Sequence, residues 1–257
     1  MRRNYLLISV FFAGMTTLAL ELSAARLMGN VFGTSNIVWA NIIGLILIYL
    51  SAGYFLGGRW ADRWPEYPAF YRLILWASFT AGLVPLLAQP VLLRAAQAVE
   101  RLNTAVMAGS FISTLILFSV PVTLLGCVSP YAIRLAIETK EQAGRVSGRI
   151  YALSTLGSIL GTFTPVLILI PTIGTARTFL AFSFTLMLVA WIGLALYDRP
   201  LALKHLWMPL LLAGLSLWAF QSGIKQSQGQ IFEDESAYNY IQVVERNGVR
   251  QLMLNEG

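Results

Sequence analysis

The chain has 257 residues, 57% of them hydrophobic and 12% charged, with a mean hydropathy of +0.68 and a formal charge of +6. Soluble domains carry about 25% charged residues, so the composition excludes an ordinary soluble fold and fits a polytopic membrane protein. The positive balance is no nucleic-acid footprint, because the basic residues sit in short loops between apolar runs, and the single cysteine, Cys127, excludes an internal disulfide.

Met1-Arg2-Arg3 and the apolar run behind it have the outline of a secretory signal. The run is too long for one, and it contains Glu21 and Arg26 where such a segment is clean, so it reads as a first membrane span. Seven spans of bilayer length are read in all, approximately Tyr5–Leu27, Ile37–Leu56, Phe70–Leu87, Thr104–Leu125, Ile150–Ile170, Thr178–Tyr197 and Leu206–Gln221. Behind the third, Pro90 to about Arg101 reads as a separate amphipathic piece lying along the interface. Pro121 and Pro165 fall inside spans and are expected to kink them. Trp60, Trp64, Trp191, Trp207 and Trp218 fall near span ends, as an aromatic belt places them.

The basic loops set an expected orientation. With the N-terminus inside, Arg2, Arg3, Arg59, Arg63, Arg72, Arg134, Lys140, Arg145, Arg149, Arg199 and Lys204 collect on the cytoplasmic side. The other side holds Arg94, Arg101 and Arg177, with Arg26 at a span edge, so the positive-inside rule favours a cytoplasmic N-terminus and seven spans put the C-terminus outside. The expected location is a bacterial inner membrane.

Within the spans, Gly53-x-x-x-Gly57 and Gly157-x-x-x-Gly161 are small-residue pairs that let helices approach closely, more within the chain than between copies. Glu21 is the carboxylate deepest in a span, and intramembrane charge is costly enough to suggest function. It is either braced by Arg26 or another helix, or it handles a proton or substrate. The five-residue offset to Arg26 is poor for a same-face pair. Ser154, Thr155 and Ser158 read as packing hydroxyls, and His205 beside Lys204 as an interfacial residue. No metal-ligand spacing occurs.

Residues 222–235 are polar and acid-rich towards the end, and read as a linker. From Ser236 the pattern alternates, and Asn247-Gly248 between the two runs is a strong hairpin signal. Folding there pairs Arg246 with Val249, Glu245 with Arg250, Val243 with Leu252 and Ile241 with Leu254. One face then carries Ile241, Val243, Leu252 and Leu254, with an opposite-charge pair near the turn. A lone hairpin is marginal in water, so that face is expected to be covered, by a further C-terminal domain or by a separate subunit.

Three stretches together resemble a known family. Gly58-Arg59-Trp60-Ala61-Asp62-Arg63, in which Gly58, Asp62 and Arg63 stand out, is similar to the short cytoplasmic loop after the second helix of major facilitator transporters. There the acid and arginine latch neighbouring helices; a tight turn with solvated charges is the alternative. The second stretch joins Leu125-Gly126-Cys127-Val128-Ser129-Pro130, Gly148 to Gly161 and Ile170-Pro171-Thr172-Ile173-Gly174. The third is the hairpin, with Tyr238 and Asn255-Glu256-Gly257. The set resembles fused proteins in which a multi-span membrane domain precedes a spermidine-synthase-like domain.

The resemblance implies a mainly α, polytopic helical bundle over 1–223, a linker over 224–235, and over 236–257 the first hairpin of a synthase domain. In soluble spermidine synthases a strand-and-hairpin domain precedes the α/β core and carries a Tyr-Gln pair near substrate and nucleoside. Tyr238 matches the tyrosine, while Asn239, a shorter amide, stands at the glutamine. The catalytic carboxylates and the Gly-rich cosubstrate turn of that family would lie beyond Gly257. Residues 1–257 are therefore expected to be non-catalytic alone, with no cofactor of their own. A decarboxylated S-adenosylmethionine-type nucleoside is implied only where a catalytic domain follows. The expected partners are the bilayer, the cover of the hairpin and a membrane-protein assembly, without nucleic acid. Two other functions fit the same residues, a transporter-like bundle for a small solute such as a cationic amine and a structural subunit of a membrane complex.

Overall fold

A computed structural model describes residues 2–102, 106–219, 230–236, 240–246 and 249–254. Among these residues seven helices are long and apolar enough to cross a membrane: Asn4–Phe32, Asn36–Arg63, Tyr67–Ala95, Met107–Ala136, Lys140–Ile173, Thr175–Tyr197 and Arg199–Leu217. They match the seven expected spans one for one. The chain is an integral membrane protein, a mainly α-helical bundle with a small antiparallel sheet at its C-terminal end.

The helices are α1 (Arg2–Phe32), α2 (Asn36–Arg63), α3 (Tyr67–Leu102), α4 (Val106–Gly126), α5 (Val128–Ala136), α6 (Ala143–Thr164), α7 (Ile170–Ile173), α8 (Thr175–Tyr197), α9 (Arg199–Lys204) and α10 (Trp207–Ala219). A widened π-turn, Pro165–Leu169, joins α6 to α7. Helix α2 shows why these runs pack as they do. Val38, Ile42, Leu45, Tyr49, Gly53, Gly57 and Ala61 recur every three or four residues and form its buried face. Leu47, Ile48 and Phe55 point the other way, with Phe55 73% exposed. In water so large an apolar surface would aggregate; here it is what acyl chains solvate.

Two parallel helix pairs form the frame. A Cβ on Gly157 would meet the backbone of Phe11, and one on Gly161 the backbone of Met15, so α6 runs in the same direction as α1. Ser158 Oγ adds a 3.1 Å bond to the Gly14 carbonyl. Likewise Gly53 lies against Thr123 and Gly126, and Gly57 against Cys127, so α2 runs with α4. Both small-residue motifs thus serve packing within the chain. Helix α8 runs antiparallel to α3, with Gly82 against Ser183 and Gly193 against Tyr71. Ser183 Oγ also donates to the Ser78 carbonyl at 2.6 Å, deep in the core.

Several elements differ from expectation. The piece from Pro90 to Arg101 is no separate segment, because α3 runs unbroken from Tyr67 to Leu102 with Pro85 and Pro90 inside it. Each proline forfeits a helix hydrogen bond, but Ala88 and Leu92 on either side of Pro90 are buried, and that packing holds the helix together. At about 54 Å α3 is longer than the bilayer core. Residues 58–63 are the last turns of α2 rather than a loop. The last span is broken at His205, which caps α9 and whose Nδ1 lies 2.8 Å from the Leu201 carbonyl. The linker region also ends in a strand, Gln230–Glu235.

Candidate functional site: a sheet tethered to the bundle

Three strands, β1 (Gln230–Glu235), β2 (Tyr240–Arg246) and β3 (Val249–Leu254), form an antiparallel sheet in the order β1-β2-β3. The hairpin register is the expected one in full, with Ile241 opposite Leu254, Val243 opposite Leu252, Glu245 opposite Arg250 and Arg246 opposite Val249. Arg250 Nε lies 3.0 Å from Glu245 Oε2. The turn residues Asn247 and Gly248 lie outside the described residues, as do Tyr238, Asn239 and 255–257.

Strand β1 comes from the stretch read as linker. It pairs with β2, Phe232 opposite Val243 and Asp234 opposite Ile241, with a bulge between Gln230 and Phe232. The acid-rich composition hid it. The one sequence signal was Ile231-Phe232, an apolar pair amid polar residues.

The two faces of β2 differ in burial. Val244 is fully buried and Gln242 2% exposed, while Val249 and Gln251, on the same face of the edge strand β3, stay exposed. The other face, the apolar one, is open: Phe232 is 51%, Leu252 65% and Leu254 43% exposed, while Ile241 and Val243 are half-buried. The expected cover over Ile241, Val243, Leu252 and Leu254 is thus not supplied by the bundle. Strand alternation accounts for the difference: neighbouring residues point to opposite faces, and burying Val244 turns Val243 outward.

The sheet is tied to the membrane helices through Arg26. Its Nη2 donates a 2.7 Å hydrogen bond to the Ser236 carbonyl, just after β1. Of the roles open to Glu21, bracing by Arg26 is the one this contact does not supply, since that bond of Arg26 goes to Ser236. Among the described residues Glu21 has neither a hydrogen bond nor an ion pair, and it stays half-buried on α1. Arg26 lies 24 residues beyond Arg2 on the same helix, about 36 Å at 1.5 Å per residue. The tether and the N-terminus are therefore at opposite ends of α1.

At the other end of the bundle, Asp62 pairs with Arg134 at the end of α5, Nε to Oδ1 at 3.0 Å. Tyr131 hydroxyl donates to the Trp64 carbonyl from the same helix, and the Arg63 guanidinium stacks over Trp64 at 4.9 Å. Gly58 has open space around it. An acid at the end of the second span thus joins the end of the fourth. In the sequence Arg134 stands only among the basic residues of the cytoplasmic side, because no local pattern links it to a partner 72 residues away. Ser154 and Ser158 face α1 while Thr155 is exposed, which separates the packing hydroxyls from the bystander.

Comparison with protein-family models, with curated proteins and with solved structures finds no match. The functional reading therefore rests on the residues themselves.

Proposed function

We propose that this chain is the membrane-embedded portion of a spermidine-synthase-like protein, a platform for an aminopropyltransferase-type domain and not catalytic by itself. The observation that carries the reading is the sheet. Three strands are held at the bundle by Arg26 and Ser236, and their outward face presents Phe232, Leu252 and Leu254. So small a sheet with one apolar face open favours a further domain or subunit as its cover. The sequence resemblance supplies the kind of cover, an α/β core that binds a decarboxylated S-adenosylmethionine-type nucleoside. Any aminopropyl transfer belongs to that core.

The same reading puts the N-terminus on the cytoplasmic side of a bacterial inner membrane and the sheet outside. It is supported by the basic loops, by seven spans and by the separation of Arg2 from Arg26. An outer sheet favours a substrate found on that side over routine cytoplasmic polyamine synthesis.

A photo-crosslinking residue at Leu252 in native membranes tests the platform. The expected adduct contains a domain that binds immobilised methylthioadenosine, on this chain or on a subunit. Adducts to lipid alone, or to a protein that does not bind the nucleoside, overturn the proposal; a protein of the latter kind would make the chain a structural subunit.

A second reading, a transporter-like bundle, is favoured by Glu21, half-buried on α1 without an ion pair or hydrogen bond among the described residues. Its test is uptake by reconstituted E21Q vesicles. Unchanged uptake removes Glu21 from any transport mechanism.

A further inference from the structure

We propose that the groove between the starts of α1 and α6 holds one anionic phospholipid, its phosphate on Arg149 and the upper part of an acyl chain along Leu7, Phe11 and Leu153. The groove measures about 400 Å³. That is the size of a small-ligand pocket, ~300–1,000 Å³, and holds a phosphate with part of one chain while the rest of the lipid stays in the bilayer. A lipid seated here would serve a platform, a transporter or a structural subunit alike.

The groove is graded from polar to apolar along the helix axes. Because α1 and α6 run in parallel, their N-terminal ends lie side by side, and the backbones touch where Gly157 meets Phe11. Leu153 and Leu7 line the groove about one turn before that contact, and Arg149 and Asn4 about two turns before it. Each four-residue step is about 6 Å. Both polar residues also stand where the apolar runs begin, at Tyr5 and Ile150. Hydropathy thus sets the guanidinium at headgroup depth and Phe11 among the acyl chains. Ile8, 45% exposed, leaves the α1 wall open to the bilayer.

Charge selects the kind of lipid. Arg149 is exposed, and among the described residues neither it nor Asn4 has a hydrogen bond or an ion pair. Arg145, four residues earlier on the same face of α6, is exposed as well. No acid lines the groove. The positive ends of both helix dipoles lie at this end and add to the field. A guanidinium bonds phosphate through parallel N–H donors, about twice as strongly as a neutral donor does. A zwitterionic lipid brings an ammonium that the two arginines repel, whereas an anionic lipid brings negative charge alone.

The test places the full chain in nanodiscs of equal phosphatidylglycerol and phosphatidylcholine and counts the lipids it retains by native mass spectrometry. The parent should keep one phosphatidylglycerol per chain in preference to phosphatidylcholine. R149Q should lower that retention at least tenfold and R149K should keep part of it. I8W should lower it too, by filling the groove while leaving the charge in place. Should I8W fail to assemble, L153F narrows the same space from α6. R199Q, which removes an arginine outside the groove, should bind as the parent does. Glycerol 3-phosphate, a head without chains, should leave the lipid in place. Equal retention of the two lipids by the parent, parental retention in R149Q or in the groove-filling variant, a loss in R199Q as large as in R149Q, or displacement by glycerol 3-phosphate overturns the proposal.

Discussion

Arg26 on the first membrane helix and Ser236 beside the first strand are 210 positions apart and joined by a 2.7 Å hydrogen bond from guanidinium to carbonyl. A charged donor bonded to backbone is worth about 1.5–3 kcal/mol, enough to fix a small sheet against a bundle. Replacing Arg26 with alanine should leave the helices intact and loosen the sheet. Limited proteolysis in micelles checks this: faster cleavage between residues 230 and 254, with the helical core still protected, is the expected pattern. Unchanged cleavage would show that the tether is not what holds the sheet.

The sheet's two faces should respond oppositely to charge. L252E places a carboxylate where the side chain is already 65% exposed, so the protein should fold normally and lose only the cover proposed for that face. V244D puts an unpaired charge at a fully buried position, which costs about 3–5 kcal/mol when no partner exists. Hydrogen exchange of the strand amides separates the two: protection kept in L252E, lost in V244D.

Close helix approach makes Gly157 intolerant of any side chain. Its missing Cβ would fall on the Phe11 backbone, and main chain cannot step aside as a flexible side chain can. G157L should destabilise the bundle by about 1–3 kcal/mol or more through overpacking, whereas G58L, at a position with open space, should cost only the ordinary surface effect. Denaturant titration of helical signal in mixed micelles measures both. Equal stability of the two variants would contradict the packing of α6 on α1.

The Asp62–Arg134 pair is exposed, 73% on the aspartate side and 49% on the arginine. Solvent screens such a pair, so D62N should cost no more than about 1 kcal/mol. A larger effect on function than on stability would mark the contact as a latch between conformations. The double variant D62R/R134D, which restores an opposite-charge pair, should then recover what D62R alone loses.

Topology is checked by reporters fused after Leu254. Alkaline phosphatase should be active there and a cytoplasmic fluorescent protein dark, with the reverse for fusions after Lys140. Cytoplasmic fluorescence after Leu254 would mean that an even number of spans precedes the sheet.

Much of the architecture is local and therefore legible in the chain. Long apolar runs must become helices in a bilayer, because each backbone N–H and C=O needs a partner within its own segment. Asn247-Gly248 between alternating runs sets the register of β2 on β3 residue for residue, because side chains alternate with period two. Local reading failed where packing outweighed punctuation. Pro90 marks a helix end by propensity, yet α3 passes through it because Ala88 and Leu92 are buried. Gly58 suggests a turn, yet α2 continues to Arg63, where Trp64 caps it through the Trp60 carbonyl. Acidic residues hid β1, whose pairing depends on β2 rather than on its own composition.

The sequence by itself determined the membrane class, the seven spans and the hairpin register, all of which follow from hydropathy and from side-chain periods along one segment. Only the tertiary structure decided that Arg26 reaches Ser236 rather than Glu21, that Asp62 meets Arg134, and that the sheet buries Val244 and leaves Leu252 open. Periodicity says which residues share a face, but which face turns inward is set by contacts between segments far apart in the chain.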